Sequence, residues 1–509
     1  MATILGTDDD NLILLGASGD DVIYGLGGND GIAGLDGNDV IEGGLGADIL
    51  DGGKGTDTAR YTDSAVAVIV RLEFGGQGGT AEGDSYFSIE NVIGSAHGDT
   101  INGDSQYNTL SGGAGDDFLN GGGGTDILIG GLGADVLNGG SGSDWASYEF
   151  ASSGVLVNLV SGGVSGEAED DVYAGIENIV GSAHEDLLIG SDSENFMFGG
   201  GGTDYLYGEG GEDHINGLDG HDWAYGGEGI DEIDGGSGRD NVYGGNGDDA
   251  VFGGLGADTV MGDVGNDFCS GGMGNDLING GSEADVIDGG EGQDIIDGGT
   301  GSDIIHGGAG ADVISGGSAR DWINFDYETI GVTVNLTSGT GQGGNATGDT
   351  YSSIENAAGS FGADLLIGNR IANELYGNHG NDTLRGGAGN DLITGGSGED
   401  TYTGGTGADK FQLELDATDH FTDFVSAVDK FIVNASLFGG GLASGGILGG
   451  RFQSNTTGLA EDANDRFIFN SAANRLYFDS DGTGSAARLL IATFDTMAEP
   501  ILSSDFLLV

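Results

Sequence analysis

Asp294 and Asp303 stand nine residues apart in GGEGQDIIDGGTGSDIIHGG, residues 289–308. Each follows Gly-Gly-x-Gly-x, and each has an Ile two positions after it. A glycine-rich turn exposes backbone carbonyls, and the Asp adds a carboxylate. That donor set is all oxygen. Ca²⁺ takes six to eight such ligands in flexible geometry, whereas Mg²⁺ demands a tighter octahedron and keeps its water. The chemistry available here is cation binding.

The spacing recurs along the chain. It opens with Asp21, Asp30, Asp39, Asp48 and Asp57, after a degenerate first copy with Asn11 in the Asp place. It resumes at Asp99, Asn108, Asp117, Asp126, Asp135 and Asp144. A third run passes through Asp186, Asn195, Asp204, Asp213, Asp222, Asp231, Asp240, Asp249, Asp258, Asp267, Asp276, Asp285, Asp294, Asp303, Asp312 and Asp321 without a slip. The last is Asp364, Asn373, Asp382, Asp391, Asp400 and Asp409. These are 33 copies of a nonapeptide GGxGxDxUx, with Asp at position six and an apolar residue at position eight. Cys269 falls in the apolar slot, which makes it a small buried hydrophobe and not a nucleophile.

The elements that carry these residues follow from the period. Nine residues is two and a half helical turns, so a helix would scatter the pattern, and three glycines per repeat cost a helix about 1 kcal/mol each. In Asp-x-U-x a strand sends U to one face and its neighbours to the other. Gly-Gly-x-Gly-x is the turn, because glycine accepts positive φ without steric cost. Two repeats make one coil, and coils stack about 4.8 Å apart. The fold class is all-β: a right-handed parallel β-roll solenoid, with three inserted cassettes and a C-terminal β-rich cap.

Thirty-three in-phase copies resemble the RTX (repeat-in-toxin) calcium-binding nonapeptide family, over about 300 residues. The resemblance implies many Ca²⁺ ions. The candidate metal ligands are the aspartates of the register from Asp21 to Asp57, Asp117 to Asp144, Asp204 to Asp321 and Asp382 to Asp409. Backbone carbonyls of turn residues such as Gly271, Gly272, Gly274, Gly289, Gly290, Gly292, Gly298, Gly299, Gly301, Gly307, Gly308 and Gly310 complete the set. For a single repeat, an Asp that merely forms an Asx-turn is the competing reading; sixteen in phase count against it.

The charge agrees. The chain has 509 residues with 84 acidic against 13 basic, a formal charge of −71. A basic footprint for nucleic acid is absent, and anionic membrane surfaces are disfavoured. Between Asp186 and Asp321 the only Lys or Arg residues are Arg239 and Arg320. Two charges about 5 Å apart repel by roughly 0.8 kcal/mol even in bulk water, so the carboxylate columns need external cations. The expectation is a chain largely unfolded without Ca²⁺, in which metal affinity becomes folding energy.

The register divides the chain into β-roll blocks at 1–57, 99–144, 186–321 and 364–409, insert cassettes at 58–98, 145–185 and 322–363, and a C-terminal domain at 410–509. The cassettes are copies of one design. Each has an aromatic four residues after the last Asp (Tyr61, Tyr148, Phe325), an alternating strand, and a closing Asp-x-Tyr-x-x-Ile-Glu-Asn. One reading makes them enlarged coils that continue the sheet. The other makes them a face for glycan or a neighbouring molecule, with Tyr86, Tyr173 and Tyr351 stacking on sugars. After each cassette an Asn replaces the second Asp (Asn108, Asn195, Asn373), keeping an oxygen but losing the charge. The coils beside the cassettes are expected to bind calcium weakly or not at all.

Beyond Asp409 the composition turns aromatic, RFIFN and RLYF read as a hairpin, and the chain ends in SSDFLLV. This resembles the C-terminal domain of RTX proteins exported by type I secretion, and implies a partner in that machinery and a secreted or cell-surface location. The start lacks a basic n-region, and no apolar run reaches transmembrane length. Asp479 and Asp481 in DSDGTG are a weak further ion candidate.

Enzyme signatures are missing. There is no H-E-x-x-H, no G-x-S-x-G and no phosphate-loop lysine, and His97 and His184 read as surface residues. The chain reads as no enzyme but as a secreted calcium-dependent structural protein, acting in a surface layer, matrix or adhesion. A carbohydrate-binding or polysaccharide-modifying protein and a membrane-active secreted protein are the alternatives.

Overall fold

The computed structural model describes residues 2–11, 13–446, 448–483, 487–495 and 497–509. The chain forms two compact units, Met1–Thr259 and Val260–Val509. Each is a parallel β-solenoid.

Away from the cassettes, most short strands of the first unit pair in parallel with the strand eighteen residues later. Tyr205–Gly210 pairs with Trp223–Glu228, which pairs with Asn241–Asn246. Phe196–Gly202 pairs with His214–Gly220 on the other face. Position eight points inward throughout: Leu188, Met197, Leu206, Ile215, Ala224, Ile233, Val242 and Val251 are buried. In the second unit Leu277–Ser282 pairs with Ile295–Thr300, and Cys269, Ile278, Ile287, Ile296, Ile305, Ile314 and Ile323 fill the core.

Glycine is required in the turn by the coil below. A Cβ at Gly290, where φ is +94°, would overlap the Gly272 carbonyl oxygen. One at Gly292, where φ is +150°, would overlap that of Gly274. A second, sequence-silent ladder holds the turns from outside. Residues at position five accept the amide of the residue eighteen later: Ala47 N–H donates to Asn29 Oδ1 at 2.8 Å, and Gln293 N–H to Asn275 Oδ1 at 2.7 Å.

The cassettes are enlarged coils whose strands join the sheets. In the second unit Thr333–Asn335 pairs in parallel with Leu365–Ile367, and Thr350–Ser352 with Val313–Ser315. Thr340–Gln342 runs antiparallel between them. The chain thus passes beyond the strand position next to Val313–Ser315, doubles back, and fills the gap. In the first unit Ile69–Arg71 pairs with Thr100–Asn102 and Leu156–Asn158 with Leu187–Ile189, with antiparallel bridges Ile69 to Gln77 and Leu156 to Ser165.

The ladder runs past Asp409. Asp400 N–H donates to Asp419 Oδ1 at 3.2 Å and Asp409 N–H to Asp429 Oδ1 at 3.1 Å. Phe421, Phe424, Phe431 and Phe494 form a packed aromatic cluster. Phe467–Asn470 and Arg475–Phe478 form the expected antiparallel pair. The terminal Phe506–Leu508 is a buried-edge strand parallel to Phe431–Val433. Among the described residues no helix is long and apolar enough to cross a membrane.

Candidate metal centres

Position six is buried wherever the register holds; Asp294 and Asp303 are 1% and 0% exposed. One carboxylate oxygen has a fixed task. Asp276 N–H donates to Asp294 Oδ1 and Asp294 N–H to Asp312 Oδ1, both at 2.9 Å. Asp285 N–H donates to Asp303 Oδ1 and Asp303 N–H to Asp321 Oδ1, both at 3.0 Å. The same bond links Asp204 to Asp222 and Asp222 to Asp240 in the first unit. Each coil's backbone is capped by the carboxylate of the coil that follows it.

The second oxygen is the chemically open one. At every ninth residue from Asp30 to Asp57, Asp117 to Asp144, Asp204 to Asp240, Asp285 to Asp321 and Asp382 to Asp400, Oδ2 is buried with no hydrogen-bond partner. An ionised oxygen left so is costly unless it is paired or coordinates a metal. Burial pushes the carboxyls of Asp117, Asp204, Asp213, Asp240, Asp285 and Asp294 up to about 7. Backbone hydrogen bonds oppose the rise, and neighbouring carboxylates add to it. Asp382, between Asp364 and Asp400, is pushed to about 8 by burial first.

These oxygens fit a hard cation. Carbonyl oxygens of the turn lie close by: a Cβ on Gly289 or Gly298 would be wedged between an Oδ2 (Asp294 or Asp303) and a carbonyl oxygen of the next coil (Gly307 or Gly316). Among the described residues no three His, Cys, Asp or Glu side chains converge. A bound ion would draw most of its ligands from the backbone, as the donor set in the sequence implies.

Whether Oδ2 is open depends on the residue at position two. Above every open Oδ2 that residue has positive φ. Most are glycine, but Leu26, Leu35, Glu209, Leu218 and Asn378 adopt φ between 71° and 85°. A non-glycine residue pays strain for that conformation, and such strain persists only where the surroundings impose it.

At Asp409 position two is Gly405, whose φ is also positive and whose N–H donates to Asp423 Oδ2. In the turns of Asp21, Asp99, Asn108, Asp186, Asn195, Asp364 and Asn373, position two donates its N–H to the position-six side chain. Ala17 N–H takes Asp21 Oδ2 at 2.6 Å, and Ala2 N–H takes its Oδ1 at 2.6 Å. Asp21, expected to be a ligand, therefore has both oxygens engaged, by its own turn and by the residue that precedes the first strand. Ser95, Ser182 and Ser360 do the same to Asp99, Asp186 and Asp364. The three asparagines go further. Asn108, Asn195 and Asn373 each donate Nδ2 to a backbone carbonyl eighteen residues earlier, of Glu90, Glu177 and Glu355.

Six ladder members escaped the sequence reading. Asp48, Asp135 and Asp312 N–H donate to Oδ1 of the cassette residues Asp84, Asp171 and Asp349. Asp57, Asp144 and Asp321 N–H donate to Oε2 of Glu90, Glu177 and Glu355. A signal existed: counting nine back from Asp99, Asp186 and Asp364 lands on those glutamates.

The cassette tyrosines face inward. Tyr86 and Tyr351 are buried, and Tyr173 is partly so. Tyr61 and Tyr148 hydroxyls donate to Asp84 and Asp171 Oδ2 at 2.9 and 2.7 Å and meet those of Tyr86 and Tyr173 at 2.6 Å. Tyr351 donates to Asp349 Oδ2 at 3.0 Å, where Phe325 has no hydroxyl to offer. Sugar stacking on Tyr86, Tyr173 and Tyr351 is corrected by this geometry: their polar ends hold carboxylates inside the coil. His97 and His184 are exposed. Asp481 N–H bonds Asp479 Oδ1 at 3.2 Å, and Gly484 of the same segment lies outside the described residues.

The model of a known family, the RTX calcium-binding nonapeptide repeat, matches this chain in overlapping copies over residues 5–59, 93–146, 171–326 and 358–411. No curated protein matches it. Among solved structures, the extracellular lipase LipA from Serratia marcescens is similar at 21% identity, covering 49% of this chain and 40% of the lipase, with a TM-score of 0.18. A superposition that poor carries no argument about activity.

Proposed function

The chain belongs to the RTX calcium-binding nonapeptide-repeat family, and on that premise we propose that it is a secreted, non-catalytic protein that folds on binding calcium outside the cell and serves there in a surface layer, matrix or adhesion. Calcium is its ligand. The ions are held at the open Oδ2 atoms of the position-six aspartates, together with turn carbonyls such as those of Gly289, Gly298 and Gly307.

The observation that carries this reading is the column of buried carboxylate oxygens without partners in a chain of 84 acidic and 13 basic residues. Such a column cannot stay ionised and ordered without cations. The ion supplies the missing charge, and its binding energy is folding energy. An extracellular role suits that dependence, since a chain that orders only in abundant calcium remains pliable until it meets it. The C-terminal segment 410–509 is the part read by a type I exporter. The adhesive side of the proposal is supported by large side chains exposed on the cassettes: Phe74, Phe150 and Tyr327 are 82%, 77% and 81% exposed.

Electron microscopy of the purified chain with millimolar Ca²⁺ and with EGTA tests the structural role. Sheets or filaments that form only with calcium are expected. Dispersed particles in both conditions would remove the layer-forming reading.

A further inference from the structure

Three places in the fold repeat an arrangement in which every side-chain oxygen at position six already accepts a hydrogen bond from the protein. At the second cassette Asp186 Oδ1 accepts Val155 N–H at 2.7 Å and Oδ2 accepts Ser182 N–H at 2.6 Å, with Ser182 Oγ 3.0 Å from both. One repeat later Asn195 Oδ1 accepts Ser191 N–H at 2.7 Å, and its Nδ2 donates to the Glu177 carbonyl at 2.6 Å. Asn195 Oδ1 thus stands where neighbouring turns have a bare Oδ2, with Ser191 N–H closing it, and Nδ2 takes the place of their Oδ1. On the other side of the cassette, Asp171 Oδ2 is closed by the Tyr148 hydroxyl.

We propose that the turns around each cassette are closed to calcium and act as internal caps, dividing the calcium-binding repeats into blocks that order separately. The inference rests on the calcium-dependent folding proposed above. The caps satisfy their own polar groups with protein donors, so their order does not require the ion. They also hold the ends of the adjoining ladders. Asp135 and Asp144 amides are received by Asp171 and Glu177. The open repeats from Asp117 to Asp144 lie between two such caps. The first and third cassettes repeat the pattern with Ser95 on Asp99 and Ser360 on Asp364. Recurrence in three copies marks it as a feature of the cassette and not an accident of one turn.

Hydrogen–deuterium exchange of the full chain, followed by mass spectrometry of peptides, tests this. In EGTA the amides of peptides spanning 148–160 and 176–197 should exchange at least tenfold more slowly than those spanning 198–245, and the difference should close in millimolar calcium. Equal, rapid exchange of both in EGTA overturns the caps and leaves calcium-dependent folding standing. Slow exchange of both in EGTA overturns calcium-dependent folding, and the caps with it. A second measurement counts bound calcium by equilibrium dialysis. Ser191→Gly with Asn195→Asp restores glycine and carboxylate to a closed turn, and should add at least one ion per folded chain. An unchanged count in a chain that still folds with calcium overturns the closure of that turn.

Discussion

Asn195 Nδ2 donates to the backbone carbonyl of Glu177 at 2.6 Å, across eighteen residues of sequence and one rung of the solenoid. Nine or eighteen residues further on, Asp204 and Asp213 place an amide-accepting Oδ1 there instead and keep a bare Oδ2, whereas the matching Oδ1 of Asn195 is taken by Ser191 N–H. The Ser191 N–H, together with the Asn195 side-chain amide, separates a turn that completes its own hydrogen bonding from a turn that must find a cation.

Calcium removal should unfold most of the repeats. Far-UV circular dichroism in EGTA should lose most of its β signal and regain it in millimolar Ca²⁺. Magnesium at equal concentration should restore little, because turn carbonyls that bend to fit Ca²⁺ do not form the tight octahedron Mg²⁺ prefers. An unchanged spectrum in EGTA would sink the dependence.

Acid should partly replace calcium. The ladder carboxyls are pushed up to about 7 in the fold by burial, against roughly 4 in an unfolded chain. A group whose folded value is raised binds protons more tightly in the native state. Its stabilising contribution is full below about 4 and is lost as pH rises towards 7. The calcium-free chain should therefore hold more β structure at pH 4 than at pH 7.5. A calcium-free spectrum that weakens on acidification would contradict this sign.

Gly290→Ala and Gly19→Ala should differ. Both glycines have positive φ, 94° and 136°. Alanine in a left-handed conformation costs about 1–2 kcal/mol at either place. At Gly290 the new Cβ also overlaps the Gly272 carbonyl oxygen, whereas nothing lies within 4 Å of a Cβ at Gly19. Thermal melts in saturating calcium should show a clearly larger drop for Gly290→Ala, together with loss of bound ions. Equal drops would mean that the stacking of turns is not the constraint.

Tyr148→Phe should destabilise the calcium-loaded protein by about 1–3 kcal/mol, since it strips a buried carboxylate of its donor. Phe325→Tyr in the third cassette offers the mirror test. It adds a hydroxyl at the position that Tyr61 and Tyr148 occupy, beside an Asp349 already served by Tyr351. It should cost far less than Tyr148→Phe loses. Comparable losses would show that ring packing, and not the hydroxyl, matters there.

Much of this was written in the residues. A nine-residue period with Asp at six and an apolar residue at eight admits only a turn and a short strand, because both are local: glycine takes positive φ and alternation sends one side chain inward. That determined the coil, the core from Ile23 to Ile393, the columns of carboxylate and the need for cations. What the tertiary structure alone decided is which oxygens are open. Ser95 and Leu26 both replace glycine at position two, yet Ser95 plugs Asp99 with its N–H while Leu26 turns left-handed and leaves Asp30 Oδ2 bare. That choice is made by turns stacked eighteen residues away and by cassette strands more than thirty away. Ladder bonds such as Val68 N–H to Asp99 and Asp57 N–H to Glu90 join residues that no local rule brings together.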